Sequence, residues 1–163
     1  MIEWIRERDC AIALDSRSHP VMISSWYGAP SLAIVDEFYR WSDRRAAAAM
    51  AAEQQLIRIA DLSNAVAPEA SVRQRAIEHT RNDLVTEVTL ALIVVVDDPT
   101  LRGVVTAMRW VGGGRRELEI VEVTQMATAI ELALERLRVE RIPAPAGLDP
   151  IHYVPPRLAS SLI

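Results

Sequence analysis

The chain has 163 residues, with 18 basic residues against 22 acidic ones and a formal net charge of −4. Every basic residue is an arginine, so a P-loop, a pyridoxal Schiff base and a standard receiver domain, each of which uses a lysine, are excluded in their ordinary form. The one cysteine excludes an internal disulfide framework and a cysteine zinc cluster, and the mild acidity argues against general nucleic-acid binding.

Cys10 to Leu14 is short and apolar, and Val21 to Trp26 repeats the pattern after the polar stretch Asp15 to Pro20. The pair reads as a β-hairpin, and Trp4 reads as preceding the domain. Tyr27-Gly28-Ala29-Pro30 breaks the second strand. Ser31 is placed to cap a long helix carrying Leu32, Val35, Phe38, Tyr39 and Ser42 at helical spacing, with an interruption expected near Ser42-Asp43. Its alanine-rich half, Ala46 to Ala52, suits close packing on a flat partner.

Leu56 to Ala60 reads as a strand that feeds a loop at Asp61-Leu62-Ser63. Pro68 opens the next helix, with Val72, Ala76, Thr80 and Leu84 on one face and Arg73, Glu78 and Arg81 solvated. Thr89 to Val96 is almost wholly aliphatic, as a central parallel strand buried on both faces requires. Asp98 caps a helix with Pro99 at its first position and an apolar stripe of Leu101, Val104, Val105, Met108 and Val111. Gly112-Gly113-Gly114 ends it; the glycines follow a helix and precede a strand, the reverse of a phosphate cradle. Glu117 to Val123 alternates as an edge strand does. Thr124 is placed to cap a last helix with Met126, Ile130, Ala133, Leu134 and Leu137 inward.

The order β-β-α-β-α-β-α-β-α implies an α/β sandwich with a mostly parallel sheet, one domain over residues 1–141. Residues 142–163 form a proline-rich but apolar tail. It is expected to dock on a surface, by preference across a homo-oligomer interface. No apolar run approaches the ~20 residues that span a bilayer. The opening residues Met1 to Asp9 carry two glutamates, two arginines and an aspartate, unlike a secretory leader. The expectation is a cytoplasmic protein.

This order of elements resembles the STAS fold of the SpoIIAA-like anti-sigma-factor antagonists, and of bacterial STAS/CRAL-TRIO-like proteins. Leu56-Ile57-Arg58-Ile59-Ala60-Asp61-Leu62-Ser63 is similar to that family's strand ending in Asp-Leu-Ser, and Leu101 to Ala107 to a helix start in the second group. The resemblance covers residues 10 to 140. It implies a non-catalytic regulatory or scaffolding module acting through an unidentified protein partner. It also places a phosphorylation switch at Ser71, within Glu69-Ala70-Ser71-Val72, where the family's glycine is replaced by Val72 and Pro68 intrudes. Asp61, Ser63, Ser71 and Arg73 are the binding residues it suggests. A phosphate on Ser71 would meet a helix N-terminus with Arg73 and Arg75 near. The alternative is a small-molecule or lipid-binding domain, which an enclosed pocket of ~300 Å³ or more would favour.

No catalytic residue, metal or cofactor is expected. No Gly-x-Ser-x-Gly elbow is present, and His19, His79 and His152 are scattered. Asp97-Asp98 with Asp61 has the oxygen chemistry of a Mg²⁺ site, but a helix cap and a solvated neighbour account for the first pair more simply. Cys10 reads as a buried strand residue.

Overall fold

The computed structural model describes residues 1–81, 84–111 and 118–158. Six strands are set side by side in chain order: β1 (Ile2–Arg6), β2 (Cys10–Asp15), β3 (Val21–Gly28), β4 (Leu56–Ala65), β5 (Thr89–Val95) and β6 (Glu119–Val123). The β1–β2 and β2–β3 pairings are antiparallel, and β3–β4, β4–β5 and β5–β6 are parallel. The sheet is therefore mixed, with three of its five pairings parallel. The hairpin expected at residues 10–26 is present as β2–β3. Trp4 does not precede the domain but lies in β1, paired with Ala13. The five-residue alternation of Ile-Glu-Trp-Ile-Arg is too short to stand out, yet it extends the meander by one edge strand.

β4 does not stop at Asp61. It runs on to Ala65, paired with β3 as far as Gly28↔Ala65. β5 is flanked on both sides, as its aliphatic run demands, but it lies one place in from the β6 edge rather than at the centre. The edge position of β6 is as its alternating carboxylates suggest.

The helices are α1 (Leu32–Ala51), α2 (Ala70–Arg81), α3 (Val85–Val88), α4 (Pro99–Val111) and α5 (Met126–Val139). Adjacent parallel strands laid down in one direction, each joined by a right-handed crossover, put their connecting helices on one face. The packing agrees. α1, α2 and α3 bury Ile34, Phe38, Trp41, Val72 and Val85 against Ile12, Leu14 and Met22 of the sheet, and α4 buries Leu101 against Val94 and Val96 on the same side. The opposite face, Val21, Ile23, Ile57, Ile59, Ile93 and Val95, is covered by α5 through Ala129, Ile130, Ala133 and Leu137.

Local chemistry sets the helix ends. Ser31 caps α1, its Oγ accepting from the Ile34 N–H at 3.2 Å. The helix then runs unbroken past Ser42, which is buried without a hydrogen-bond partner for its Oγ. Asp98 caps α4 by accepting from the Leu101 N–H at 2.8 Å. Thr124 does not cap α5; Gln125 occupies that position and makes no side-chain cap bond. Gly112-Gly113-Gly114 and the side chains of Met108 and Val111 lie outside the described residues.

The described part of the tail is seated on the chain's own sheet. Leu148 is buried, and Ile142 and Tyr153 pack beside it, against the face that α5 covers. The Tyr153 hydroxyl donates to Asp15 at 3.2 Å, and the Tyr27 hydroxyl donates to the Pro156 carbonyl. Leu162 and Ile163 lie outside the described residues. Among the described residues no helix is long and apolar enough to cross a membrane.

Candidate ligand-binding cavity

Successive residues of a strand face opposite sides of its sheet. Along β4, Ile57 and Ile59 face α5, so Asp61 shares that side, and the Ser63 hydroxyl is tied to it across a register shift, while Arg58, Ala60 and Leu62 face α1, α2 and α4. Ser71 and Arg73 belong to α2, on the other side of the sheet. The four residues that the resemblance groups as one surface are thus split between two faces.

Asp61 is buried and engaged locally, accepting from the Ser63 N–H at 3.1 Å and from its hydroxyl at 2.7 Å. Ser71 is exposed in the first turn of α2. Arg73 is half-buried, and its Nη1 donates to the Pro68 carbonyl at 2.7 Å; it is not the solvated residue that its sequence position suggests. Arg75 pairs with Asp36 at 3.4 Å. His79 also meets Asp36, at 2.8 Å, and stacks on Tyr39 with ring centroids 4.4 Å apart. Asp97 is exposed. Among the described residues no group of three or more His, Cys, Asp or Glu side chains is gathered as metal ligands.

A cavity of about 820 Å³ lies between the sheet and α1, α2 and α4, in the layer where a small-molecule domain would hold its pocket, though the sequence assigns none of its lining residues to a pocket. Its floor is low because the central row of the sheet carries short side chains there. Ser24 pairs with Ala60, and Ala60 with Val94. Its α2 side is also low, since Ala76 faces it between Val72 and Thr80. Short residues on facing elements leave volume that neither side fills. The signal was present in the sequence as Ser24, Ala60 and Ala76, but their juxtaposition is a property of register and crossover.

One end of the cavity is aromatic. Trp26 meets Phe38 edge-on at 4.8 Å between centroids, and Phe38 contacts Tyr39 at 5.5 Å and Trp41 at 6.4 Å. The other end is aliphatic, lined by Leu62, Leu92, Val94, Leu101, Val105 and Ile120. The polar groups are few and mostly engaged within the wall. The Trp26 indole N–H donates to Ser24 Oγ at 3.2 Å, and the Tyr39 hydroxyl donates to the Ala76 carbonyl at 3.3 Å.

The charged residues of the wall are Arg58, Arg73 and Glu119. Arg58 rises from the sheet with its guanidinium 5.9 Å from the Phe38 ring centroid, and Arg73 approaches from α2. Glu119 contributes to the rim, but its carboxylate turns to Arg136 of α5 at 3.6 Å, on the far side of the sheet.

A second polar group, on the α5 face, is built differently. Asp15 is buried and held by the Arg17 side chain at 2.9 and 2.7 Å, by the Arg17 N–H at 3.0 Å and by Tyr153. Burial pushes the Asp15 carboxyl up, but the hydrogen bonds and charge of Arg17 outweigh it and hold the group below the usual aspartate range. The Tyr153 phenol is pushed up by burial and by the neighbouring Asp15 charge. This cluster fastens the tail to the hairpin.

No protein-family model matches the chain, and no curated protein shows significant similarity to it.

Proposed function

We propose that the protein is a non-catalytic binding module whose helix–sheet cavity takes an apolar small molecule or a lipid chain. The observation that carries this reading is the cavity of about 820 Å³ lined mainly by aliphatic and aromatic side chains. Protein interiors are close-packed and hold few voids larger than a water molecule. Ligand pockets, in contrast, run to roughly 300–1,000 Å³, with apolar walls and a few placed polar groups. Of the two roles that the STAS/CRAL-TRIO-like resemblance implies, the small-molecule one fits this wall better than a surface for a protein partner.

The test is saturable binding of a neutral apolar probe, dodecan-1-ol, followed by calorimetry and by the fluorescence of Trp26 and Trp41 in the wall. One probe per chain is expected, with binding lost in Ala60→Leu, which raises the floor, while that variant keeps its circular dichroism spectrum. Absence of saturable binding by the unaltered protein would overturn the proposal.

A regulatory role through protein contacts is the second reading. It is favoured by the exposure of Ser71 at the start of α2, two residues before Arg73 of the cavity wall. A phosphate there would lie at the positive end of the helix dipole. Ser71→Asp is expected to weaken capture of a cellular partner that Ser71→Ala retains; equal capture by both would remove the switch.

A further inference from the structure

The charge of the cavity wall narrows the class of ligand. Resting on the binding reading above, we propose that the occupant is an amphipathic monoanion, a long-chain carboxylic acid, with its carboxylate on Arg73 and its hydrocarbon chain in the aliphatic end of the cavity.

Three observations support this assignment. Arg73, Ala76 and Thr80 are spaced i, i+3, i+7 along α2 and line the cavity together, as residues on one helix face do. The bond from Arg73 Nη1 to the Pro68 carbonyl fixes the guanidinium at the wall, and among the described residues no carboxylate lies within ion-pair distance of it. A guanidinium has five N–H donors and a planar fork that matches a carboxylate. Held by one bond, it keeps donors for a ligand head.

The second observation is the sign of the field. Arg73 brings a positive charge into the wall from α2, while the Glu119 carboxylate meets Arg136 of α5 at 3.6 Å. A guanidinium in a mainly apolar wall favours one negative charge and penalises a cationic head. The third observation is shape. The cavity that Arg73 lines has an aliphatic end walled by Leu62, Leu92, Val94, Leu101, Val105 and Ile120. β4 lines the cavity from Arg58 to Ala65, about 23 Å at ~3.3 Å per residue. An elongated apolar chain fits such a space, and a compact polar metabolite would leave those walls without contacts.

The experiment compares dodecanoate with dodecan-1-ol, equal in chain length and different in head charge, on the full chain at pH 7.5 and below micelle-forming concentrations. Dodecanoate is expected to bind at least ~10-fold more tightly, the gain of a charge-assisted hydrogen bond over a neutral one. Arg73→Gln should abolish that difference while leaving dodecan-1-ol affinity unchanged. Arg73→Lys, which keeps the charge and loses the fork, should retain part of it. Circular dichroism and the melting temperature confirm that each variant is folded, and dodecan-1-ol binding confirms that its cavity is intact. Equal affinity of the unaltered protein for acid and alcohol would overturn the headgroup assignment and leave the apolar-binding reading standing. An acid preference that survives Arg73→Gln would overturn the assignment to Arg73. Failure of both probes to bind would overturn the assignment together with the reading beneath it.

Discussion

Ile93 and Leu92 are neighbours on β5 that face opposite sides of the sheet, one into packed core and one into the cavity. Truncating each to alanine removes the same three carbons from two different surroundings. Ile93 is 1% exposed and packs with Ile59, Ile130 and other residues under α5. Removing three buried carbons there loses ~2.4 kcal/mol of transfer energy at ~0.8 per methylene. The void left behind adds a further ~1–2 kcal/mol at ~24 cal/mol per Å³. Ile93→Ala should therefore cost about 4 kcal/mol. Leu92 is half-buried and already borders empty volume, so its neighbours lose few contacts and little of the void is new. A loss of about 1–1.5 kcal/mol follows, in which the cavity term is nearly absent. At ~2–4 °C per kcal/mol for a chain of this size, the melting temperature should fall by roughly 8–16 °C for Ile93→Ala and ~2–6 °C for Leu92→Ala. Urea titrations followed by circular dichroism give the two free energies directly. Equal losses at the two positions would refute the reasoning, because they would mean that the space beside Leu92 is filled in solution by the protein itself.

The remaining predictions concern charge, reactivity and backbone. A carboxyl whose folded pKa is depressed contributes stability that is present above its unfolded value, ~3.9, and is lost as pH falls through the folded one. The unaltered protein should therefore lose stability more steeply below about pH 4 than Asp15→Asn; parallel curves would show that the Arg17 and Tyr153 contacts of Asp15 do not hold in solution. Burial pushes the Cys10 thiol up to about 11, so a thiol-specific disulfide reagent at pH 8 should modify it only at the rate of unfolding; immediate stoichiometric labelling would contradict its place in the core. Gly28 ends β3 with φ +73°, and an added Cβ would lie 2.1 Å from the Asp9 carbonyl oxygen. Gly28→Ala should destabilise by more than ~1 kcal/mol in the same urea titration, and a variant as stable as the parent would mean that the Asp9 turn is free to move.

Much of the architecture was legible in the chain because it rests on local chemistry. Ser31 and Asp98 cap helices because their side chains reach N–H groups three residues on, a contact set by sequence spacing alone. The aliphatic run of β5 shows a strand covered on both faces, because burial of both sides leaves no place for alternation. The inward stripe of α5, with Ile130, Ala133 and Leu137, follows from helical period. Where local signals were weak or shared, the reading erred. β1 is five residues long with charges at two of them, and only its pairing with β2 makes it a strand. Asp-Leu-Ser resembles a strand end, and the register does shift there, yet pairing with β3 resumes at Tyr27↔Asn64 and Gly28↔Ala65, and that partner outweighs the local turn preference of Asp61 and Ser63.

What the tertiary structure alone decided is which residues meet. Whether Asp61 and Ser71 share a surface depends on the alternation of β4 and on the face to which the crossovers consign α2, and those two facts separate them. The tail contains apolar residues in any reading, but only the folded sheet offers Leu148 and Tyr153 a place beside α5. The cavity is the clearest case. Ser24, Ala60 and Ala76 lie on three different elements and are unremarkable one by one. Register sets the first two side by side, the crossover brings the third over them, and the empty volume belongs to that conjunction, because space between elements is encoded in no single segment of the chain.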